Sequence, residues 1–286
     1  MNNITIHQKY KGHVITLSSD IHVVKECFDK SEPVILLITN ENRFLDTMFI
    51  RYAFEIEEYN PDLYDENGNY VGPECDISEE EVMKMFSDTD AERVIARSLG
   101  LPVVITETDR IIVRELSVND IEELKDFFIY ERPENIDKIF DSTEEIKEYI
   151  ARYSEEVYDF YGFGIWGIFV KEMTGLKFAG TAGFTARKPN ELFLNEKCDD
   201  NSFSNESIMD LELGFALLKK YRKQGIAYEA CKTIIEFAKK NIEYNMIFVN
   251  IAPSNEPAVK LAKKLRICGE LEIRLYDGGY SCFWSD

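Results

Sequence analysis

Apolar and polar positions fall into two periods along this chain. Pro33-Val34-Ile35-Leu36-Leu37-Ile38-Thr39 is a continuous apolar, β-branched run, the pattern of a strand buried on both faces. From Phe44 to Ile56 the spacing turns helical. A polar loop rich in Gly, Pro and Asn, Asn60 to Glu74, follows. Ser78-x-x-Glu81 then reads as a capping box that opens a short helix. A second helix is expected from Thr89 to Leu99, closed by Gly100 with Pro102 beyond it.

After about residue 105 the punctuation changes. Arg110 to Leu116 alternates as a strand, and Ser117, with Asp120 three residues on, caps a helix through Tyr130. Ser142 or Thr143 opens another helix to about Tyr158. Strands Phe163–Lys171 and Leu176–Arg187 flank a turn at Glu172-Met173-Thr174-Gly175 and form a hairpin. A loop rich in Asn and Asp leads to strand Met209–Leu217, helix Ile226–Lys240, strand Met246–Ile251 and helix Glu256–Leu265. An apolar tail ends in Tyr280–Trp284. The expected class is α/β, in two parts: an N-terminal α/β extension over 1–105 and a larger domain over 106–286. The larger one runs β-α-α-β-β-β-α-β-α-β, which mixes parallel and antiparallel pairings in one sheet.

Charge removes several classes of function. The 286 residues carry 33 basic and 53 acidic side chains, a formal charge of -20. Such a surface repels phosphate backbones, so nucleic acid is not an expected partner, whereas amine-bearing or polycationic molecules are attracted. The six cysteines are scattered, without a Cys-x-x-Cys pair, and read as reduced thiols rather than as a zinc or disulfide framework. The three histidines, His7, His13 and His22, all lie near the N-terminus. A histidine-based triad or metal cluster is therefore not expected in the larger domain, and no metal is assigned. The opening residues hold no apolar signal core, and the run Val34–Ile38 is far short of a membrane span. A cytoplasmic protein with no membrane partner is the expectation. The oligomeric state stays open, a homodimer included.

One junction concentrates the chemistry. In Leu217-Leu218-Lys219-Lys220-Tyr221-Arg222-Lys223-Gln224-Gly225-Ile226-Ala227 a strand ends, a basic turn follows, and a helix starts at a glycine and a small residue. The unpaired amides of a first helical turn, together with the helix dipole, make an anion site suited to a pyrophosphate. Gly225 permits close approach of the backbone, Ala227 keeps the helix start slim, and Arg222 and Lys223 add positive charge.

Arg222-Lys223-Gln224-Gly225-Ile226-Ala227 resembles the cofactor-binding motif Arg/Gln-x-x-Gly-x-Gly/Ala of the GNAT family of N-acetyltransferases. Leu211-Glu212-Leu213-Gly214-Phe215 and Glu229-Ala230 resemble segments of its RimJ/RimL-like subgroup. Asn255-x-x-Ala258, with Lys264-Leu265 beyond, is similar to the family's second motif. Asp109–Leu116 and Leu176–Gly183 resemble its first and third strands. The resemblance covers about residues 106 to 275. It implies a GNAT acyl-CoA N-acyltransferase fold with a central sheet splayed at the CoA cleft, acetyl-CoA as cosubstrate, and transfer of the acetyl group to a primary amine. The acceptor stays open between a peptide N-terminus and a small polyamine or aminoglycoside.

The same resemblance implies roles for residues. The pantetheine would lie beside Phe215, Ala216 and Leu217 and bond to Asn255. The diphosphate would sit at Arg222, Lys223, Gln224, Gly225, Ile226 and Ala227, and the oxyanion would meet a main-chain amide near Phe215 to Leu217. A lysine-type amine has a pKa of ~10.4, so a carboxylate is needed to help remove its proton. Period two places Asp210, Glu212, Gly214 and Ala216 on one face, and Glu212 is the candidate base or amine-orienting group. Ala262 and Ala258 stand where relatives carry a Tyr or Ser acid, so no side-chain acid carries over, and a CoA-binding protein with weak or lost catalysis is the rival reading. Asn255 also reads simply as a helix N-cap, preceding Glu256-Pro257 at the start of the helix. Gly162-x-Gly164-x-x-Gly167 opens a strand rather than a helix, which rules against a dinucleotide fingerprint. The aromatics Tyr158, Phe160, Tyr161, Phe163 and Trp166 are read mainly as core.

Overall fold

The computed structural model describes residues 4–38, 43–45, 79–131, 140–158, 161–188, 208–252, 254–265, 270–273 and 280–285. The expected loop Asn60–Glu74, the cap Ser78, Phe160 and the polar loop from Asn190 to Glu206 lie outside them. The chain divides into two compact units, Met1–Val103 and Val104–Asp286.

The first unit opens with a hairpin the hydrophobic pattern did not signal. Strands β1 (Thr5–Tyr10) and β2 (His13–Ser18) pair antiparallel, with Tyr10 opposite His13. Lys11 and Gly12 form the two-residue turn at φ 46° and 88°, the left-handed pair that matches the twist of the flanking strands. Helix α1 (Ile21–Asp29), N-capped by the Asp20 carboxylate, crosses back to β3 (Val34–Ile38), which pairs parallel with β2. The apolar run of β3 is buried on both faces, as a central strand requires. Ile35 and Leu37 join Ile15, Leu17, Val82, Ala91 and Val94, while Val34 and Leu36 join Val24 and Cys27. Residues Arg43–Leu45 form β4, antiparallel to β3. The helix expected from Phe44 is thus corrected at its start: backbone pairing with a central strand overrides local spacing, and the rest of that span lies outside the described residues. Helices α2 (Glu79–Met85) and α3 (Asp88–Ser98) complete the unit. The capping box of α3 is Ser87 with Asp90, two residues before the expected start.

The second unit is an eight-stranded sheet. In chain order its elements are β5 (Val104–Glu107), β6 (Ile111–Arg114), α4 (Ile121–Lys125), α5 (Thr143–Tyr153), β7 (Ile165–Glu172), β8 (Gly175–Arg187), β9 (Asp210–Leu217), α6 (Ile226–Asn241), β10 (Ile247–Ile251), α7 (Glu256–Leu265), β11 (Glu270–Ile273) and β12 (Tyr280–Ser285). The strands lie in the order β11-β12-β10-β9-β8-β7-β6-β5. Every pairing is antiparallel except β9 with β10. Ser117 caps the entry to α4 in a box with Asp120, and wider turns carry α4 on to Glu131. Ser142 caps α5.

Trp166, fully buried, packs edge-on to Phe184 of β8 and Phe237 of α6. Tyr158 and Phe163 are buried too, whereas Tyr161 is exposed. α6 buries Ile226, Ala230, Cys231, Ile234 and Ala238, a stripe with the helical period. Burial pushes the Cys231 thiol up, which leaves it unreactive in the fold. No helix among the described residues is long and apolar enough to cross a membrane.

Candidate active site

The parallel pairing of β9 and β10 is confined to two positions, Leu211 with Ile247 and Glu212 with Phe248. β9 continues for five residues to Leu217 alongside β8, and β10 runs on to Ile251 beside β12. The two strands therefore part in the middle of the sheet. The Leu211 amide donates across this seam to Met246 O at 2.9 Å, whereas the Leu218 amide donates to Ala179 O on the β8 side at 2.9 Å. By strand alternation the amides of Leu213, Phe215 and Leu217 point into the opening between β9 and β10.

At the end of β9 the chain makes a tight helical turn, Lys219–Tyr221, and enters α6 through Arg222, Lys223, Gln224 and Gly225. Gly225 is the N-cap, at φ 80°, and Lys223 is also left-handed, at φ 62°. A left-handed lysine is strained and persists only where its surroundings hold it. Three contacts do so: Arg222 Nε donates to Leu217 O at 2.9 Å, Gln224 Nε2 to Lys220 O at 2.7 Å, and Arg110 NH2 to Gln224 O at 3.0 Å. The amides of the first turn of α6 have no intrahelical acceptor; Gly225 O is the first carbonyl used, accepting from Glu229. With Lys219, Lys220, Arg222 and Lys223 exposed around it, the turn is positively charged in a chain of net negative charge. It suits a diphosphate.

The expected binding residues fall into two places. Phe215, Ala216, Leu217, Arg222, Lys223, Gln224, Gly225, Ile226 and Ala227 form one continuous strand–turn–helix segment. Ile226 is buried as the anchor of α6, and Arg222 to Gly225 are exposed. Arg222 commits its Nε to folding the turn, a structural use that charge alone did not foretell. Asn255, exposed, lies after the other diverging strand and caps α7, its Oδ1 accepting from the Ala258 amide at 3.4 Å. The helix begins at Glu256, as expected, with Pro257 in its first turn. α7 meets α6 where Lys264 Nζ lies 4.0 Å from the centre of the Tyr228 ring.

Glu212 stands at the last paired position before the strands part. Its Oε2 accepts from Arg187 Nε at 2.6 Å, with Arg187 NH2 at 2.5 Å, and its Oε1 accepts from Asn250 Nδ2 at 2.9 Å. The carboxylate is thus held from two sides, by the end of β8 and by β10, and its side chain keeps 18% exposure. Arg187 and Asn250 carry no spacing signal in the sequence, because they meet Glu212 only through strand register. Gly214, two residues on, faces Ile165, whose Cδ1 would lie 3.5 Å from an added Cβ. Among the described residues no group of three His, Cys, Asp or Glu side chains could hold a metal ion.

Tyr221, buried at the foot of the turn, donates to Glu172 Oε1 at 2.9 Å. Burial first, then the Glu172 hydrogen bond and charge, push the phenol up to about 12. Tyr149, Tyr153, Tyr158 and Tyr244 are raised in the same direction, chiefly by burial. An unfolded tyrosine titrates near ~10. The fold holds these protons more tightly, so their contribution is complete below pH ~10 and is lost as pH rises toward the folded values. Urea unfolding measured across alkaline pH is expected to show stability falling from pH ~10 upward; a profile flat through pH ~12 would contradict the burial of these phenols.

A sequence model of the acetyltransferase (GNAT) domain matches residues 110–267. No curated protein matches. Similar solved structures include an acetyltransferase from Agrobacterium tumefaciens str. C58, at 18% identity and TM-score 0.45 over 63% of this chain and 93% of that one. Another is the ribosomal-protein-S5-alanine acetyltransferase from Vibrio fischeri, at 17% identity and TM-score 0.46 over 63% and 93%. RimL, a ribosomal L7/L12 alpha-N-protein acetyltransferase in complex with coenzyme A, is 12% identical with TM-score 0.43 over 63% and 96%.

Proposed function

From the premise that this chain belongs to the GNAT acetyltransferase family and is an acetyl-CoA-dependent acyltransferase, we propose that it transfers acetyl to a primary amine by direct attack in a ternary complex. The observation that carries the reading is the parting of β9 and β10 above the basic, left-handed turn at Lys223–Gly225. A thioester whose pantetheine arm leads to a diphosphate needs such a slot with an anion site at one end. In this reading the amides of Gly225 to Ala227 hold the diphosphate, the edge of β9 from Phe215 to Leu217 and Asn255 hold the pantetheine arm, and a main-chain amide of that edge meets the carbonyl oxygen as it gains charge.

Glu212 is proposed as the group that orients the acceptor amine and helps take its proton. Its geometry supports this: it sits beside the opening, keeps part of its surface, and cannot swing away because Arg187 and Asn250 fix it. The proposed acceptor is a cationic primary amine. The subgroup resemblance favours a peptide N-terminus, and the net charge of -20 also suits a polyamine or aminoglycoside. A cytoplasmic setting is part of the same proposal.

A second reading has its own observation. Ala258 and Ala262 are buried where relatives carry hydroxyl acids, so the described chain offers no such side chain to protonate the leaving thiolate there. That favours a CoA-binding protein of weak catalysis. One experiment separates the two: free-thiol release from acetyl-CoA with peptide, polyamine and aminoglycoside acceptors. Release that depends on an acceptor supports the transferase. CoA binding with no release for any amine supports the second reading.

A further inference from the structure

Resting on the reading of the turn before α6 as a diphosphate site, we propose that Arg110 is a positioning residue for the acyl donor: from the β5–β6 turn it fixes the Gln224–Gly225 peptide and neutralises Glu229 at the mouth of the helix. Arg110 is more than a hundred residues from this loop in sequence, yet its two terminal nitrogens divide between the two targets. NH2 donates to Gln224 O at 3.0 Å, and NH1 lies 3.3 Å from Glu229 Oε2.

Fixing that carbonyl has a direct consequence. The peptide is planar and trans, so holding Gln224 C=O toward the β5–β6 turn aims the Gly225 N–H to the opposite side. Gln224 lies between two left-handed residues, Lys223 and Gly225, where the backbone has no regular ladder to hold it. Without Arg110 the carbonyl is released to rotate, and an oxygen turned inward would oppose an anion.

Glu229 sits in the first turn of α6, one turn beyond the N-cap, where its charge opposes a diphosphate. Its Oε1 accepts from Thr108 Oγ1 at 2.6 Å and its Oε2 faces Arg110. The platform behind is braced in turn: Lys171 Nζ donates to Thr108 O at 2.6 Å and lies 2.6 Å from Glu107 Oε1, and the Ile111 amide donates to Thr108 Oγ1 at 3.1 Å. Arg110 is 53% exposed, so solvent screens the pair and the effect on binding is moderate.

The test titrates the full-length protein calorimetrically with CoA and with pantetheine, which lacks the diphosphate. Arg110→Gln is expected to weaken CoA about 5- to 10-fold and leave pantetheine unchanged, with KM for acetyl-CoA rising more than kcat falls. Arg110→Lys keeps the charge but cannot serve both targets, and is expected to fall between. Adding Glu229→Gln to Arg110→Gln is expected to restore part of the loss. Equal weakening of both ligands, or an unchanged CoA affinity, overturns the positioning role. If the wild-type protein binds CoA no better than pantetheine, the diphosphate reading itself fails, and the proposal falls with it.

Discussion

Glu212→Gln is expected to lower kcat by about 10²- to 10⁴-fold while leaving KM for acetyl-CoA nearly unchanged. The substitution keeps the size and planar shape of the side chain and removes its charge. Glutamine still accepts from Asn250 or Arg187, so the seam between β9 and β10 remains closed at this point. What it loses is the anion proposed to stand beside the acceptor amine. A primary amine must shed a proton before it attacks, one held with pKa ~8 at a peptide N-terminus or ~10.4 in a lysine-type amine, and an amide neither attracts the ammonium form nor accepts that proton. The proposed donor loop lies at the other end of β9, which is why KM for acetyl-CoA should not follow. Steady-state rates with a saturating acceptor decide the matter. If kcat is unchanged, Glu212 only ties β9 to its neighbours, and proton removal belongs to another group or to water.

The second large effect concerns stability. Gly183→Ala is expected to destabilise the larger unit by at least about 3 kcal/mol, near the upper end for overpacking a core. An added Cβ would lie 2.0 Å from Gly164 O and 2.6 Å from Ile165 Cα. Both are backbone atoms of the facing strand region, so no side chain can turn aside. The same Gly164 carbonyl accepts from the Phe184 amide at 3.0 Å, so relief of the clash breaks the ladder between β7 and β8. Gly214 is the internal control. It is opposite Gly183 in the β8–β9 register, but its Cβ would meet only Ile165 Cδ1, at 3.5 Å. Gly214→Ala should shift stability by less than about 1 kcal/mol. Thermal melts of the two variants make the comparison. Equal melting points would mean that β7 and β8 are not packed this closely at Gly183.

These two glycines show where sequence reading ends. Both lie in apolar, strand-like runs, and nothing in either run says which one has backbone against it. The same limit applies to Glu212. Alternation placed it on one face of a strand, but its partners Arg187 and Asn250 come from β8 and β10, brought to it by register alone. Arg110 is a third case. It was read as the start of a strand but lies in the turn one residue before β6, and its hold on Gln224 arises only when that turn lies over α6.

Much else was legible because its cause is local. The caps Ser117 and Ser142, the buried run of β3, the hairpin of β7 and β8, and the limits of α6 and α7 follow from side chains acting within a few residues of themselves. The hairpin at Lys11-Gly12 was missed because its signal is a single glycine after a lysine, and the strand Arg43–Leu45 was misread because pairing with β3 outweighs spacing.

The sequence by itself determined the class of fold, the basic turn that leads into α6 at Gly225 and the net acidity of the chain, since each depends on neighbouring residues or on total charge. Only the tertiary structure decided where β9 and β10 part, what holds Glu212 and what braces the turn. Those depend on the pairing of segments far apart in the chain, which no local pattern encodes.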